Sequence, residues 1–271
     1  MSAIPQAQTS FRLNAAERAA LARDGYLLRE NVYSARECAE IAADCEKLVS
    51  DLSALKSARG KIVFGSYMFE SHEEFNTSVK WEPGAPHLVQ GIEPFAHLSP
   101  SLEAWGLEPR LVDPCKEICG AEDLVLFTEK LNLKRAKQGG PIVLHQDYPY
   151  WESFAPMAAR VATAMIFLDD STVENGCLEV APGSHTVGKH KQRKAADGFG
   201  SLEMDQDTFD MKRLIPLEVK AGAVAFFGAF LVHRSLPNLS DKDRRALLYS
   251  YQPAGYPHAR DWKKTSKKTN A

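Results

Sequence analysis

From residue 123 onward, the sequence is a succession of short β-prone segments. They occupy 123–128, 130–135, 142–147, 160–168, 177–181, 213–219, 223–229 and 244–251. Turn signals separate them, at Gly139-Gly140, Asn175-Gly176, Pro182-Gly183 and Ala221-Gly222. Several short strands punctuated by turns are typical of a β-barrel or a β-sandwich. The sequence therefore predicts a mainly β core over about 121–256.

The segment before this core predicts helices that flank it. All-β units often run to about 200–250 residues, so the 271 residues are expected to form a single domain, with a helical wrap over about 11–120. Helices are expected over 14–23 (capped by Asn14 and ended by Gly25), 35–54 (capped by Ser34) and 101–119, with a strand at 26–28 and strand and loop at 61–70.

Composition excludes several classes of partner. The formal net charge is -2, so no basic surplus favours nucleic acid. No run of about 18 apolar residues predicts a membrane-spanning helix, and the N-terminus lacks the pattern of a secretory signal. The five cysteines do not form a disulfide framework and are typical of packed thiols in a reducing cytoplasm, where we expect the protein to reside. The oligomeric state stays open.

A histidine and an aspartate two residues apart follow one of the predicted strands. The stretch 142–144 is strand-like, and alternate residues of a strand share a face, so His145 and Asp147 would point the same way. His233, expected at the end of another apolar strand, offers a third ligand. Two histidines and a carboxylate are the facial ligand set of non-haem iron(II) oxygenases. Zinc accepts the same set, so the ligands alone do not name the metal.

The spacing of one arginine from His233 indicates a role for its side chain. Arg244 lies eleven residues after His233, beyond a predicted turn over 237–241. That turn would fold the strand 244–251 back alongside and bring Arg244 to the depth of His233. A buried guanidinium grips a carboxylate through two hydrogen bonds, so Arg244 is a candidate carboxylate clamp. Arg245 would face the opposite side.

The segment 186–212 is polar and lacks periodicity. It is therefore expected to be a long surface loop, and such loops are often lids.

Three motifs resemble the phytanoyl-CoA dioxygenase family of 2-oxoglutarate oxygenases. They are HQD at 145–147, FLDDSTVENGCLEVAPGSH at 167–185, and the pattern H-x-S-x-x-N-x-S-x-x-x-R from His233 to Arg244. The N-terminal DGYLL and the helix that starts at Ser34 belong to the same pattern, so the resemblance covers nearly the whole chain. Within the family, KLNLKRA at 130–136 and HQDYPYW are similar to the free amino-acid and ectoine hydroxylases.

The resemblance implies a fold and a set of roles. The fold is a double-stranded β-helix (a jelly roll, cupin-like) with flanking N-terminal α-helices. His145, Asp147 and His233 would ligate Fe(II), and Arg244 would hold the distal carboxylate of 2-oxoglutarate. Residues near the co-substrate would be Ser235, Asn132 and, less directly, Thr128, while Trp151 would lie close to the iron on the substrate side.

Other residues around the HxD motif are candidates for the substrate side. Tyr148, Tyr150 and Trp151 follow the ligands directly, so at least one of them is expected to face a small amphipathic substrate. Three basic residues could anchor an acidic group on that substrate; they are Lys130, Lys134 and Arg160.

The expected activity is an Fe(II)-, 2-oxoglutarate- and O2-dependent hydroxylation of an unactivated C–H bond in a small polar or amphipathic metabolite. A free amino acid is the first choice of substrate. Desaturation, cyclisation or epimerisation of a secondary metabolite at the same site is the alternative, and a metal-binding jelly roll that is not an oxygenase is another. Halogenation is disfavoured, because family members that halogenate have a small residue where Asp147 stands.

Overall fold

In the computed structural model, the first two helices of the N-terminal segment begin at residues whose side chains cap them. The structure describes residues 10–55, 57, 60–64, 67–194 and 200–261. Asn14 caps α1 (Ala15–Asp24) in a capping box with Glu17, and Gly25, at φ 81°, ends it in the left-handed conformation. Ser34 caps α2 (Ala35–Ser53) in the same way. Both predicted caps are thereby confirmed.

The predicted third helical segment is two helices. These are α3 (Pro100–Gly106) and α4 (Pro109–Cys119), each with a proline in its first turn. Two tyrosine hydroxyls fasten α3 to the sheet beneath it, since Tyr249 donates to the carbonyl of Leu102 and Tyr251 to that of Gly106. No helix of the described residues is long and apolar enough to cross a membrane.

Two of the sheets pack face to face, and the larger of these has nine strands, each antiparallel to its neighbours. Its order is β1-β13-β8-β15-β6-β5-β4-β3-β2. The strands are β1 (Tyr26–Arg29), β2 (Lys61–Phe64), β3 (Tyr67–His72), β4 (Thr77–Glu82), β5 (Ala85–Glu93), β6 (Leu124–Lys134), β8 (Ala162–Phe167), β13 (Val224–Gly228) and β15 (Arg244–Pro253).

The smaller sheet has four strands and faces the larger one. Its order is β12-β9-β14-β7, with β7 (Ile142–His145), β9 (Leu178–Val180), β12 (Ile215–Leu217) and β14 (His233–Ser235). A cluster of buried apolar side chains joins the sheets, including Met165, Phe167 and Leu248 from the larger sheet and Leu178 and Val180 from the smaller. The architecture is therefore the expected mainly β jelly roll.

Two boundaries of the β core differ from the sequence-based expectation. The segments 123–128 and 130–135 form one continuous strand, β6, because its partner β15 runs the whole length beside it. The larger sheet also recruits β4 and β5 from the segment expected to be a helical wrap, in addition to the strands expected at 26–28 and within 61–70. The inner residues of β4 and β5 include Lys80 and Glu93, so these two strands lack the apolar alternation by which a strand is recognised.

The polar segment 186–212 is not a plain surface loop. Within its described residues it carries a hairpin of β10 (Gln192–Lys194) and β11 (Gly200–Met204), followed by two short 3-10 turns. Met204 and Phe209 are buried against Leu144, Ala181 and Val232. Two widely spaced apolar residues thus fix a segment whose composition alone favoured a loop. The basic residues near 263–268 lie outside the described part of the chain.

The outer face of the larger sheet packs against the helices. Phe226 on β13 is fully buried there, in a cluster that includes Ile41 of α2, Leu102 of α3 and Leu111 of α4. We expect Phe226→Ala to lower the free energy of unfolding by about 3–5 kcal/mol, because it leaves a cavity in a close-packed core. Urea denaturation measures this change.

Phe75→Ala is the matched control, because the Phe75 side chain is 39% exposed. An effect as large as that of Phe226→Ala would contradict the packing described here.

Candidate metal centre

The centre is built on the pairing of two short strands. β7 and β14 are antiparallel, and His145 lies directly opposite His233. Their ring centroids are 4.2 Å apart. The register shifts before Ser235, which pairs with Ile142. Direct cross-strand neighbours share a face, so both imidazoles point to the same place between the sheets.

The carboxylate reaches this place from a helical turn and not from the strand. β7 ends at His145, and Asp147 has helical backbone angles at the start of α5 (Tyr148–Trp151). Oδ1 of Asp147 is 3.8 Å from Nε2 of His145. His233 likewise begins β14 and does not end an apolar strand as expected. The predicted convergence is right, although the strand alternation that predicted it is not its cause.

The three side chains form a candidate metal site. Potential ligand atoms of His145, Asp147 and His233 all lie within 4.8 Å of one another, and the three residues are buried. Two buried imidazoles and a buried carboxylate that converge in this way are the arrangement expected for a divalent ion. The donor set therefore fits Fe(II), and its all-nitrogen-and-oxygen chemistry gives no reason for a soft metal.

Backbone carbonyls orient both imidazoles. Nδ1 of His145 is 2.7 Å from the carbonyl oxygen of Val143, and Nδ1 of His233 is 3.0 Å from that of Leu231. A carbonyl only accepts, so each Nδ1 carries the proton, and each Nε2 keeps its lone pair for the metal.

The protonation states also suit a metal. Burial, with the neighbouring His233, lowers the pKa of His145 to about 3, so this imidazole is neutral at physiological pH. Burial opposes ionisation of Asp147, but Lys130 and the two histidines outweigh it and hold the pKa of this carboxyl below its usual value. The site thus presents a neutral nitrogen donor from His145 and an anionic oxygen donor from Asp147 without losing protons first.

The glutamine between the ligands is a functional residue that the sequence analysis missed. Gln146 is fully buried, and its amide donates to the carbonyls of Gly188 and Phe230 at 2.8 and 2.7 Å. Its oxygen accepts the backbone N–H of His190. These three hydrogen bonds fix the turn that carries His145 and Asp147 to the chain around it. A buried polar side chain between two candidate ligands needs hydrogen-bond partners of its own. This requirement is the signal in the sequence that could have identified Gln146.

Arg244 lies at the start of β15, opposite Lys134 of β6. It is 2% exposed, and its Nε and Nη1 have no hydrogen-bond partner among the described residues. The hydroxyl of Ser235 is buried and likewise unpartnered within that part of the chain. Burial lowers the pKa of Arg244 to about 10, so the guanidinium is still charged at neutral pH. An unsatisfied buried cation fits the carboxylate of a bound ligand.

The strand geometry that was expected to place Arg244 is wrong. β14 pairs with β7 and β9, whereas β15 pairs with β6 and β8 in the opposite sheet. The connection therefore crosses from one sheet to the other instead of forming a hairpin. Asn238 braces it by donating to the carbonyls of Lys134 and Lys242. Arg244 thus reaches the interior from the wall facing the histidines.

The other residues expected near a co-substrate lie on the same inner face of β6. Alternate residues of a strand share a face, so Thr128, Lys130, Asn132 and Lys134 form one row. Asn132 is half-buried and lies next to Lys134 in this row, so it remains part of the candidate site. The Thr128 hydroxyl donates to Glu93 at 3.0 Å and lies farther from Arg244 along the strand.

The aromatic residues after the HxD motif occupy different positions. Tyr150 lies edge-on to His145, with ring centroids 5.7 Å apart. Trp151 is buried against Phe127, and Nζ of Lys130 is 5.6 Å from the centroid of its ring. Tyr148 instead stacks on Phe230. Tyr150 and Trp151 therefore flank the centre.

Two of the three expected substrate anchors have structural contacts instead. Nζ of Lys134 donates to the carbonyls of Gly140 and Leu236 at 2.6 and 2.7 Å. Arg160 is exposed and donates to the carbonyls of Cys119 and Gly120, at the C-terminal end of α4. We therefore correct the substrate role expected for both. Lys130 does face the centre, 3.9 Å from Oδ1 of Asp147.

Comparisons with known proteins agree with this architecture. The phytanoyl-CoA dioxygenase (PhyH) family matches residues 21–246. Since this is most of the chain, the protein belongs to that family of dioxygenases.

Individual relatives are more distant. A phytanoyl-CoA dioxygenase 1 of Oryza sativa is 37% identical over 110 residues, 40% of this chain and 38% of the relative. An ectoine dioxygenase of Bordetella parapertussis is 28% identical over 84% of this chain and 72% of its own. The crystal structure of EctD from S. alaskensis with 2-oxoglutarate and 5-hydroxyectoine superposes with a TM-score of 0.68 at 21% identity, covering 91% of this chain and 78% of that one. The matches to the first three curated relatives span only 38–46% of those proteins.

Removal of one ligand should abolish metal binding. We expect Asp147→Ala and His233→Ala to weaken Fe(II) binding by more than about a hundredfold, because loss of a direct ligand exceeds the effect of losing a group that merely orients one. Anaerobic titration with Fe(II), followed by metal analysis after desalting, measures the affinity and stoichiometry.

His185→Ala is the control, because the His185 ring lies against Gly25 at the end of α1 and is not one of the three grouped side chains. Equal metal retention by all three variants would contradict the assignment.

Proposed function

We propose that the protein is an Fe(II)- and 2-oxoglutarate-dependent oxygenase that acts on a small polar or amphipathic metabolite. The observation that carries this proposal is the buried His145, Asp147 and His233 cluster facing a buried arginine whose Nε and Nη1 lack partners among the described residues. A divalent metal would occupy the cluster, and a dicarboxylate bound to that metal would give the arginine its missing partner.

Two buried, unpartnered side chains indicate where the distal end of 2-oxoglutarate would bind. Arg244 would bind the distal carboxylate, with the buried hydroxyl of Ser235 as a second donor. Burial and the nearby charge of Arg244 lower the pKa of Lys134 to about 7. An arriving carboxylate relieves this repulsion between two buried cations. Asn132, and less directly Thr128, would support the co-substrate from β6.

When bound, Fe(II) and 2-oxoglutarate supply the activation of dioxygen that oxidises a C–H bond. The chain's own residues hold and shield the site. The carbonyls of Val143 and Leu231 fix the imidazole tautomers. Lys130 restrains the Asp147 carboxylate from 3.9 Å, and Tyr150 and Trp151 limit the access of water beside the ligands.

Hydroxylation is the outcome that the site favours. Asp147 fills the carboxylate position, which disfavours halogenation, and no residue of the site marks desaturation, cyclisation or epimerisation. The resemblance to an ectoine dioxygenase supports a small metabolite, of which a free amino acid is an example. A metal-binding jelly roll without oxygenase activity is less consistent, because it has no use for the unsatisfied guanidinium of Arg244.

The arginine can be tested separately from the metal ligands. We expect Arg244→Met to raise the Kd for 2-oxoglutarate by at least about thirtyfold, because a buried charged partner is lost. Anaerobic titration of the Fe(II) protein, followed by the visible charge-transfer band, measures this Kd.

The adjacent Arg245→Met is the matched control, since Arg245 pairs with Asp169 on the other face of β15. Its 2-oxoglutarate affinity should stay near that of the wild type. A wild-type protein without a band, or an Arg244→Met protein with the wild-type affinity, would rule out the proposed clamp.

Product mass distinguishes the oxidative outcomes. Small polar metabolites, free amino acids first, are screened for those that stimulate succinate release from 2-oxoglutarate, and the products are measured by mass spectrometry. We expect a gain of one oxygen atom. Loss of two hydrogen atoms indicates desaturation or ring closure, and an unchanged mass with inverted configuration indicates epimerisation.

A further inference from the structure

The inner face of β3, β4 and β5 carries charged side chains beside the metal centre. Lys80 of β4 pairs in register with Gly91 of β5, and Gly91 pairs with Asn132 of β6. Glu93 is the next inward residue of β5, 3.8 Å from Lys130. No side chain of β5 therefore separates Lys80 from the residues that line the candidate site on β6.

Lys80 differs from the other cations in this region. Its Nζ lies 3.5 Å from the centroid of the Tyr67 ring, and no carboxylate of the described residues forms an ion pair with it. By contrast, Lys130 lies near both Glu93 and Asp147. The nearby Glu82 is already engaged, since it accepts the N–H groups of Gly140 and Gln90.

The electrostatic surroundings leave this charge only partly compensated. Burial, followed by the repulsion from Lys130, lowers the pKa of Lys80 to about 7, against a weaker attraction from Glu93 and Glu82. The aromatic face of Tyr67 offsets only part of this cost, because a cation–π contact is weaker than an ion pair in a desolvated site. An anion placed against Nζ would supply the missing compensation.

That anion is not the 2-oxoglutarate carboxylate held by Arg244. The strand order β15-β6-β5-β4 puts three strand spacings, about 14 Å, between the strands of Arg244 and Lys80. Lys130, which contacts Asp147, lies on β6 between them. Lys80 is thus a second cation, on a different strand from the arginine assigned to the co-substrate.

We propose that Lys80, supported by Tyr67, binds an anionic group of the substrate, a carboxylate or a phosphonate. This inference rests on the proposed function and narrows its substrate class to small organic anions. The anionic end would lie against β4, and the carbon to be oxidised would lie between Lys80 and the ligands His145 and Asp147. Glu93, whose side chain is 42% exposed, offers a place for a cationic group on the same molecule.

Three small probes test the subsite on the anaerobic Fe(II) protein saturated with 2-oxoglutarate, so that Arg244 is occupied. They are 3-aminopropanoate, 2-aminoethylphosphonate and the uncharged-end analogue 3-aminopropanamide. Binding is measured by the perturbation of the visible charge-transfer band. We expect the wild type to bind at least one anionic probe about tenfold or more tightly than the amide, the range of a charge-assisted hydrogen bond. The anionic probe that binds more tightly shows whether the subsite prefers a carboxylate or a phosphonate.

Lys80→Met should remove this preference and leave the band itself intact. Lys80→Arg, which keeps the charge over Tyr67, should retain most of it and guards against a folding defect in the methionine variant. Lys61→Met is the matched control, because Lys61 also lies over an aromatic ring, that of Trp81 at 3.4 Å, but is exposed on β2.

The outcomes separate the two proposals. A wild-type protein that gives no band with Fe(II) and 2-oxoglutarate contradicts the proposed function and the subsite that rests on it. A normal band with no preference for either anion, or an equal preference in Lys80→Met and the wild type, overturns the Lys80 assignment alone.

Discussion

The antiparallel pairing of β7 with β14 is the constraint on which the candidate site depends. It sets His145 opposite His233 and leaves Asp147 free to turn back toward them from the start of α5. A shift of one residue in this register would move one imidazole to the other face of the small sheet. Gln146 secures the register by binding Gly188, Phe230 and His190, so the polar segment after residue 186 supports the ligand turn.

The interior between the sheets has an apolar region and a charged region. Around β8, β13 and β9 it is filled by apolar side chains, which hold the sheets together. Along β4, β5 and β6 it is lined by charges, and the side chains that pack the core cannot satisfy them. Arg244 and Lys80 lie on β15 and β4, and Lys130, 3.9 Å from Asp147, lies on β6 between those strands. The fold is therefore stabilised at one end of its interior and kept available for charged small molecules at the other.

The sequence predicted the parts of this structure that depend on local chemistry. Asn14 and Ser34 as helix caps, the jelly-roll strands after residue 123, and the convergence of His145, Asp147 and His233 are examples. It did not predict β4 and β5, because their inward residues are charged and break the apolar alternation. Arg160 is engaged instead by carbonyls at the C-terminal end of α4, a packing contact that the sequence does not show. The connection before Arg244 was predicted wrongly because the sequence does not show which strands pair across the barrel. Lys80 was missed for the same reason.

The most direct test of the account is a crystal structure of the protein grown anaerobically with Fe(II) and 2-oxoglutarate. The account predicts one iron bound by Nε2 of His145, an oxygen of Asp147 and Nε2 of His233, with the distal carboxylate of 2-oxoglutarate against Arg244 and Ser235. An iron bound by other residues, or a 2-oxoglutarate molecule that leaves Arg244 without a partner, would contradict it.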